Sequence, residues 1–220
     1  MNIEDKYDGT IQTFTGKMFN PINPVIEDID IMDIAHALSL SNRYVGHTTR
    51  PYSVAEHSLN LVNYAEQQNA HEDLKKWCLM HDASEAYLCD IPRPIKKFLP
   101  QYKEIENQLQ KIIAERFDLC WPIPDKVLEW DTRILLNESV ALMDDVTKYL
   151  VYKTHQPLEN ITVRNKYIGH NLIEMAFLGK CKELNIGNII ELDDTMTEYM
   201  KWAKTQINPQ IFKQEYIGEF

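Results

Sequence analysis

His57, the adjacent pair His81-Asp82, and Asp131 are residues of types that bind metals, and they are spread widely along the chain. Together with Glu85, one helical turn beyond His81, they set out the pattern H…HDxxE…D. Imidazole nitrogens and carboxylate oxygens make a mixed ligand set. Such a set suits Mn, Fe, Co, Ni or Zn better than Ca, and it can leave coordination positions for water or phosphate oxygen. Water bound there loses several pKa units and becomes a nucleophile near neutral pH. Taken singly, each of these residues reads as a surface group or a satisfied core residue; it is their joint occurrence at inner helix edges that argues for a site. Successive residues advance about 100° around a helix, so His81 and Asp82 cannot share a face. Both can serve one ion only at a helix edge, by curling toward a common point.

Helices must bring these residues together, and the apolar periodicity supplies them. Ile31, Ile34, Ala35 and Leu38 fall on one face of a first helix ending near Ser41. Ser53-Val54-Ala55-Glu56 reads as a capping box, with the Ser53 hydroxyl and the Glu56 carboxylate each satisfying a free backbone N–H of the other. The helix it opens runs to about Gln68 and carries His57, between Val54 and Leu61, on its apolar side. A third helix is expected over residues 72–88, where Leu74, Trp77, Cys78, His81, Glu85 and Leu88 recur at spacings of three and four. A buried unpaired carboxylate is costly, so that stripe demands partners for Glu85. Pro92, Pro94 and Pro100 enforce a loop or single turns.

Further helices are expected at about 101–117, 125–150, 168–184 and 192–206, with Asp131 at the inner edge of the second of these, among Trp130, Ile134, Leu135 and Leu142. Before them all, Thr10 to Phe19 alternates like a strand or hairpin until Asn20-Pro21 and Asn23-Pro24 break it. The fold class is therefore all-α. One domain spans residues 1–220, with a short N-terminal extended segment, a helical core over about 28–150 and a C-terminal helical extension over 151–220. In that extension Met175-Phe177 and Trp202 read as packing or oligomer surface.

Composition narrows the function classes. The 44% hydrophobic and 25% charged residues fit a globular protein with a sizeable core. The net charge of -10 argues against long nucleic acid as a partner, yet permits a small phosphorylated ligand met by a few local cations. Cys78, Cys89, Cys120 and Cys181 form no C-x-x-C pair and read as free thiols of a reducing compartment. The opening Met-Asn-Ile-Glu-Asp-Lys lacks an apolar core and no stretch suits a bilayer, so a cytoplasmic protein, in a bacterium or a phage-infected host, is expected.

Several ordered motifs carry a family likeness over about residues 10–145. They are Asp33-Ile34-Ala35-His36-Ala37-Leu38-Ser39, then Arg43, then Tyr52-Ser53-Val54-Ala55-Glu56-His57-Ser58. His81-Asp82-Ala83-Ser84-Glu85-Ala86-Tyr87-Leu88 follows, then Asp90-Ile91-Pro92-Arg93-Pro94-Ile95-Lys96, and finally Asp131. The chain resembles the HD-domain phosphohydrolases, and within them the bacterial 5′-deoxynucleotidases and the phage deoxynucleoside triphosphate hydrolases. The resemblance implies an HD-domain helical bundle with His57, His81, Asp82 and Asp131 as ligands of one divalent transition metal, Co, Mn, Zn, Fe or Ni. It also implies a catalytic role for Glu85, phosphate contact by Arg43 and a role near the leaving group for Asp90. A homo-oligomer, dimer or hexamer, is expected by the same likeness.

Phosphate ester cleavage needs neutralised phosphoryl oxygens, an in-line water and a proton for the leaving oxygen. Arg43 offers a bidentate donor, Glu85 can hold or deprotonate the water, and Asp90 can protonate the leaving group if its pKa is raised. Lys96 and Arg93, with Lys97 beside them, could bind further phosphates or form a solvated charge run. Tyr44 could stack on a base or sugar, or serve as a core aromatic. His36 and His47 read as structural, capping or substrate-lining residues.

The two-metal members of the family it resembles carry extra histidines in the interval between Asp82 and Asp131, and here there is none. The resemblance therefore implies one core ion, with Mg²⁺ accompanying the substrate phosphates, and argues against a di-iron oxygenase. The substrate expected is a 2′-deoxynucleotide cleaved at its 5′ phosphate. Release of phosphate from a monophosphate and of triphosphate from dATP or another dNTP both remain open. A non-catalytic nucleotide sensor and a structural helical adaptor are the competing classes.

Overall fold

The alternating N-terminal residues do pair, in a computed structural model that describes residues 9–143, 154–187 and 189. β1 (Ile11–Gln12) and β2 (Met18–Phe19) form an antiparallel hairpin, with Ile11 opposite Phe19. Gly16 closes its turn at φ +85°, a backbone that other residues resist. The hairpin is tied down by Asp33, which accepts from the Thr15 backbone N–H at 2.7 Å and from its hydroxyl at 3.0 Å. Phe14 stacks on His36, and Phe19 is fully buried.

Apart from an isolated antiparallel bridge between Asn42 and Ser53, the remaining regular elements among the described residues are helical. α1 (Ile31–Leu40) starts at Asp30, whose carboxylate accepts from the Met32 N–H, and ends at Ser41, as its periodicity predicts. α2 (Val54–Gln67) follows, then α3 (Glu72–Met80), the single turns α4 (Glu85–Leu88) and α5 (Arg93–Lys96), α6 (Pro100–Arg116), α7 (Asp125–Leu142) and α8 (His170–Glu183). α2 is buried nearly all round, which makes it the central helix. It packs against α3, α1, α8 and α7, while α1 also packs on α8 and α4. Leu38, Leu61, Trp77, Leu79, Ile113, Ile134 and Phe177 meet in one continuous core. Removing a side chain such as Trp77 from it costs about 3–5 kcal/mol. Phe177 thus belongs to packing rather than to an outer surface. The helix expected over 192–206, with Trp202, lies outside the described residues.

Three local expectations need correction. The helix predicted over 72–88 is interrupted at His81–Ser84. There the amide of Gln110, from α6, takes the place of a helical hydrogen bond: its Nε2 donates to the Met80 carbonyl at 2.7 Å and its Oε1 accepts from the Ser84 N–H at 2.9 Å. The chain answers with tighter bonds to residues three back, Ala83 to Met80 and Glu85 to Asp82, both 3.0 Å. Second, the helix predicted to reach 150 ends at Leu142, whose carbonyl accepts from the Thr49 N–H, and Met143 is extended. Third, only half of the capping box forms. The Ser53 hydroxyl accepts from the Glu56 N–H at 3.1 Å, but the Glu56 carboxylate turns to Arg50, which grips both its oxygens at 2.8 and 2.7 Å.

Candidate metal centre

The interruption after α3 resolves the geometry of the His-Asp pair. His81 stands just past the last helical residue, and its Nε2 reaches within 3.2 Å of Asp82 Oδ2. α2 brings His57, whose Nε2 lies 3.1 Å from His81 Nε2 and 3.7 Å from Asp82 Oδ2. α7 brings Asp131, with Oδ1 at 3.3 Å from His57 Nε2 and 3.8 Å from His81 Nε2. Ligand atoms about 2.1 Å from a shared ion stand roughly 3.0 Å apart at right angles and roughly 3.4 Å at tetrahedral angles. His57, His81 and Asp131 are buried and close enough together to hold a metal ion.

The hydrogen-bond pattern fits a cation. His57 Nδ1 faces Glu138 Oε1 at 2.5 Å, and His81 Nδ1 faces the Cys78 carbonyl at 3.1 Å. Both partners only accept, so both Nδ1 atoms donate and both Nε2 atoms point into the cluster. Asp131 Oδ1 is buried with no hydrogen-bond donor. Such an atom calls for positive charge beside it. Without an ion a proton plays that part: burial and Arg43 draw the His57 pKa down, but Glu138 and Asp131 outweigh them and raise it to about 9. Asp131 is held well below the usual carboxylate range, with His57, Arg93 and His81 overcoming its burial. Asp82 is likewise depressed against its burial, by His81, His57 and Arg43.

Glu138 is the principal residue that sequence reasoning missed. It is fully buried, and besides His57 it accepts from the Tyr52 hydroxyl at 2.9 Å and the Tyr44 hydroxyl at 2.5 Å. Arg43 Nε lies 3.6 Å from its second oxygen. Seven residues after Asp131, it occupies the same inward stripe of α7, a signal the spacing contained. Gln110 was readable in the same way, flanked by buried Leu109, Ile113 and Ala114 on α6.

Arg43 is buried and donates to Asp82 Oδ2 at 3.2 Å, so it stands directly behind the cluster. Tyr44 and Val45 beside it adopt left-handed backbone at φ 57° and 55°, which costs on the order of 1–3 kcal/mol per residue and marks a held turn. The Tyr44 ring's hydroxyl end is thus committed to Glu138. Glu85 is buried, with Oε1 3.4 Å from Lys96 Nζ and Oε2 without a partner. Burial, then Asp82 and Asp90, push its carboxyl well above the ordinary range. Asp90 is half-buried and also raised, by burial and then by Asp82, against the pull of Arg43 and Lys96.

The expected phosphate cations already face carboxylates. Lys96 Nζ is 2.6 Å from Glu106 Oε1, a partner that the sequence alone does not reveal, and Arg93 grips Asp131 Oδ2 and reaches Thr132 Oγ1 at 3.2 Å. His36 is structural, pairing with Glu174 at 3.1 Å, and His47 is exposed. A cavity of about 210 Å³, lined by Asn42, Ser53, Glu56, Tyr167 and Ile173 among others, lies apart from the cluster and contains none of its ligand candidates. Among the described residues, no helix is long and apolar enough to cross a membrane.

No protein-family model matches the chain. It is 43% identical over 138 residues to YfdR of Escherichia coli strain K12, described as an uncharacterized protein; the match covers 61% of this chain and 74% of YfdR. It is 35% identical over 115 residues to an uncharacterized protein of Rhodobacter capsulatus, covering 50% of this chain and 59% of that protein. With such identity across 74% of its relative, the chain belongs to the same family as YfdR.

Proposed function

We propose that the chain is a metal-dependent phosphohydrolase of the HD-domain type that cleaves 2′-deoxynucleotides at the 5′ phosphate. The observation that carries the reading is the buried group of His57, His81 and Asp131, with Asp82 Oδ2 at 3.7 and 3.2 Å from the two imidazoles, beside two carboxyls, Glu85 and Asp90, raised in pKa. In this reading those four residues hold one divalent transition ion. Such an ion, when bound, supplies positive charge for phosphoryl oxygens and makes a water acidic enough to attack near neutral pH.

The chain's own residues supply the rest. Arg43, kept charged by Glu138 and Asp82, adds a fixed positive group beside the phosphate. Glu85 Oε2, buried and unpartnered, takes the proton of the attacking water. Asp90, protonated more readily than a solvent-exposed aspartate, gives a proton to the leaving 5′ oxygen. Lys96 and Arg93 face Glu85, Glu106 and Asp131, so neither is idle for a long phosphate tail, which favours a monophosphate over a triphosphate.

The test is a panel of dNMPs and dNTPs with Co²⁺, Mn²⁺, Zn²⁺ or Mg²⁺, with products separated by anion exchange. Orthophosphate from a dNMP supports the reading. Triphosphate release from a dNTP alone would replace it with the triphosphohydrolase reading. Ion binding with no turnover of any member would leave a sensor.

A further inference from the structure

Glu138 is fully buried and joins two parts of the site that the proposed chemistry uses separately. Through Oε1 it holds Nδ1 of His57, a candidate ligand. Through Oε2 it accepts from Tyr44, which stands in a turn of left-handed backbone formed by Tyr44, Val45 and Gly46, at φ 57°, 55° and 75°. Val45 is β-branched and exposed, a residue poorly suited to that conformation, so the turn must be held from outside its own sequence preferences. The neighbouring Arg43 makes the second link, donating to Asp82 of the same cluster. The turn is therefore tied to the cluster at a histidine, through Glu138, and at a carboxylate directly, besides the bond from its Arg43 N–H to the Tyr52 carbonyl at 2.8 Å.

We propose that Glu138 is a positioning residue that couples ion binding at His57 to the conformation of the Arg43–Gly46 turn. The inference rests on the ion-binding reading above. Two groups sharing one carboxylate constrain each other: fixing the His57 ring fixes the oxygen that Tyr44 must meet, and displacing Tyr44 frees Glu138 to tilt away from His57. Linkage makes the effect reciprocal, so an ion that orders His57 also orders the turn, and loosening the turn weakens the grip on the ion.

Tyr44→Phe removes one hydroxyl and touches no candidate ligand, while Glu138→Gln alters the shared carboxylate itself. Co²⁺ affinity is measured by titration calorimetry for the full chain and both variants, with amide exchange of residues 43–46 followed with and without Co²⁺. The coupling predicts an affinity loss of about 10–100-fold in Glu138→Gln, in the range of partners that orient metal ligands, and a smaller but measurable loss in Tyr44→Phe. It also predicts slower exchange at 43–46 when Co²⁺ is added to the natural chain, and a weakened slowing in Tyr44→Phe. A merely structural hydroxyl would lower the melting temperature without changing that response. Co²⁺ binding by Tyr44→Phe equal to the natural chain, with exchange at 43–46 indifferent to Co²⁺, would overturn the coupling and leave the ion site standing. No Co²⁺ binding by the natural chain would overturn the ion site and the coupling with it.

Discussion

Two buried glutamates flank the same cluster, and their carboxyls are shifted in opposite directions. Glu138 receives His57, Tyr52 and Tyr44 and faces Arg43; against complete burial, His57, Arg43 and Tyr44 hold its carboxyl below the ordinary range. Glu85 has Lys96 on one oxygen, nothing on the other, and carboxylates around it, so burial prevails and its carboxyl is raised. Burial alone therefore does not set the state of a carboxyl; the donors aimed at it do. A glutamate whose carboxyl is held low is suited to holding a ligand in place. One poised to gain and lose a proton is suited to chemistry, and pairs driven apart in this way mark acid–base roles.

The harshest way to break the comparison is to remove what lies between the two. His81→Ala or Asp131→Ala should abolish stoichiometric metal, measured by elemental analysis after dialysis against Co²⁺. Metal content equal to the natural chain in either variant would remove that residue from the ligand set. Next in size is Gln110→Leu. Without the bridging amide, the Ser84 N–H can bond the Met80 carbonyl and the interrupted helix can heal, turning Asp82 from the cluster. Co²⁺ affinity should fall about tenfold or more, the scale of a lost outer partner, while far-ultraviolet circular dichroism keeps its helical form.

The Glu138 side also predicts a pH effect. Below about 9 the ion-free cluster carries a proton on His57, and ion uptake must displace it. Mn²⁺ affinity should then climb with pH by up to about tenfold per unit, levelling off as His57 loses its proton unaided. Affinity flat between pH 7 and 8.5 would contradict a protonated His57. Smallest is Lys96→Met. Lys96 pulls the Glu85 pKa down, so removing it lets that pKa rise further. If Glu85 is the base, the acid limb of the pH–rate profile moves to higher pH in the variant; an unmoved limb would assign the base elsewhere.

Much of this was legible in the sequence because apolar spacing follows the helix period. The hairpin, α1, α2, α6 and α8 all lie within a residue or two of where periodicity and turn residues put them. The candidate ligands were legible because His57, His81 and Asp131 sit on stripes that must face inward. What escaped was competition between side chains for the same partner. Nothing near Met80 announces that Gln110 will take its carbonyl, and the pattern at Ser53 does not tell that the neighbouring Arg50, rather than the Ser53 N–H, will hold Glu56. Glu138 shows a different failure: its position on the Asp131 stripe was visible, but a buried glutamate acquires meaning only when its donors are known.

The central claim is tested most directly by measuring phosphate release from dNMPs on Co²⁺-loaded natural chain and Glu85→Gln side by side, with metal content determined on the same samples. The account predicts release by the natural chain, and a Glu85→Gln variant that keeps its ion but is slower by about 10²–10⁴-fold, the usual contribution of a general base. Ion-loaded natural chain that releases nothing, or a Glu85→Gln variant that turns over as fast, would contradict it.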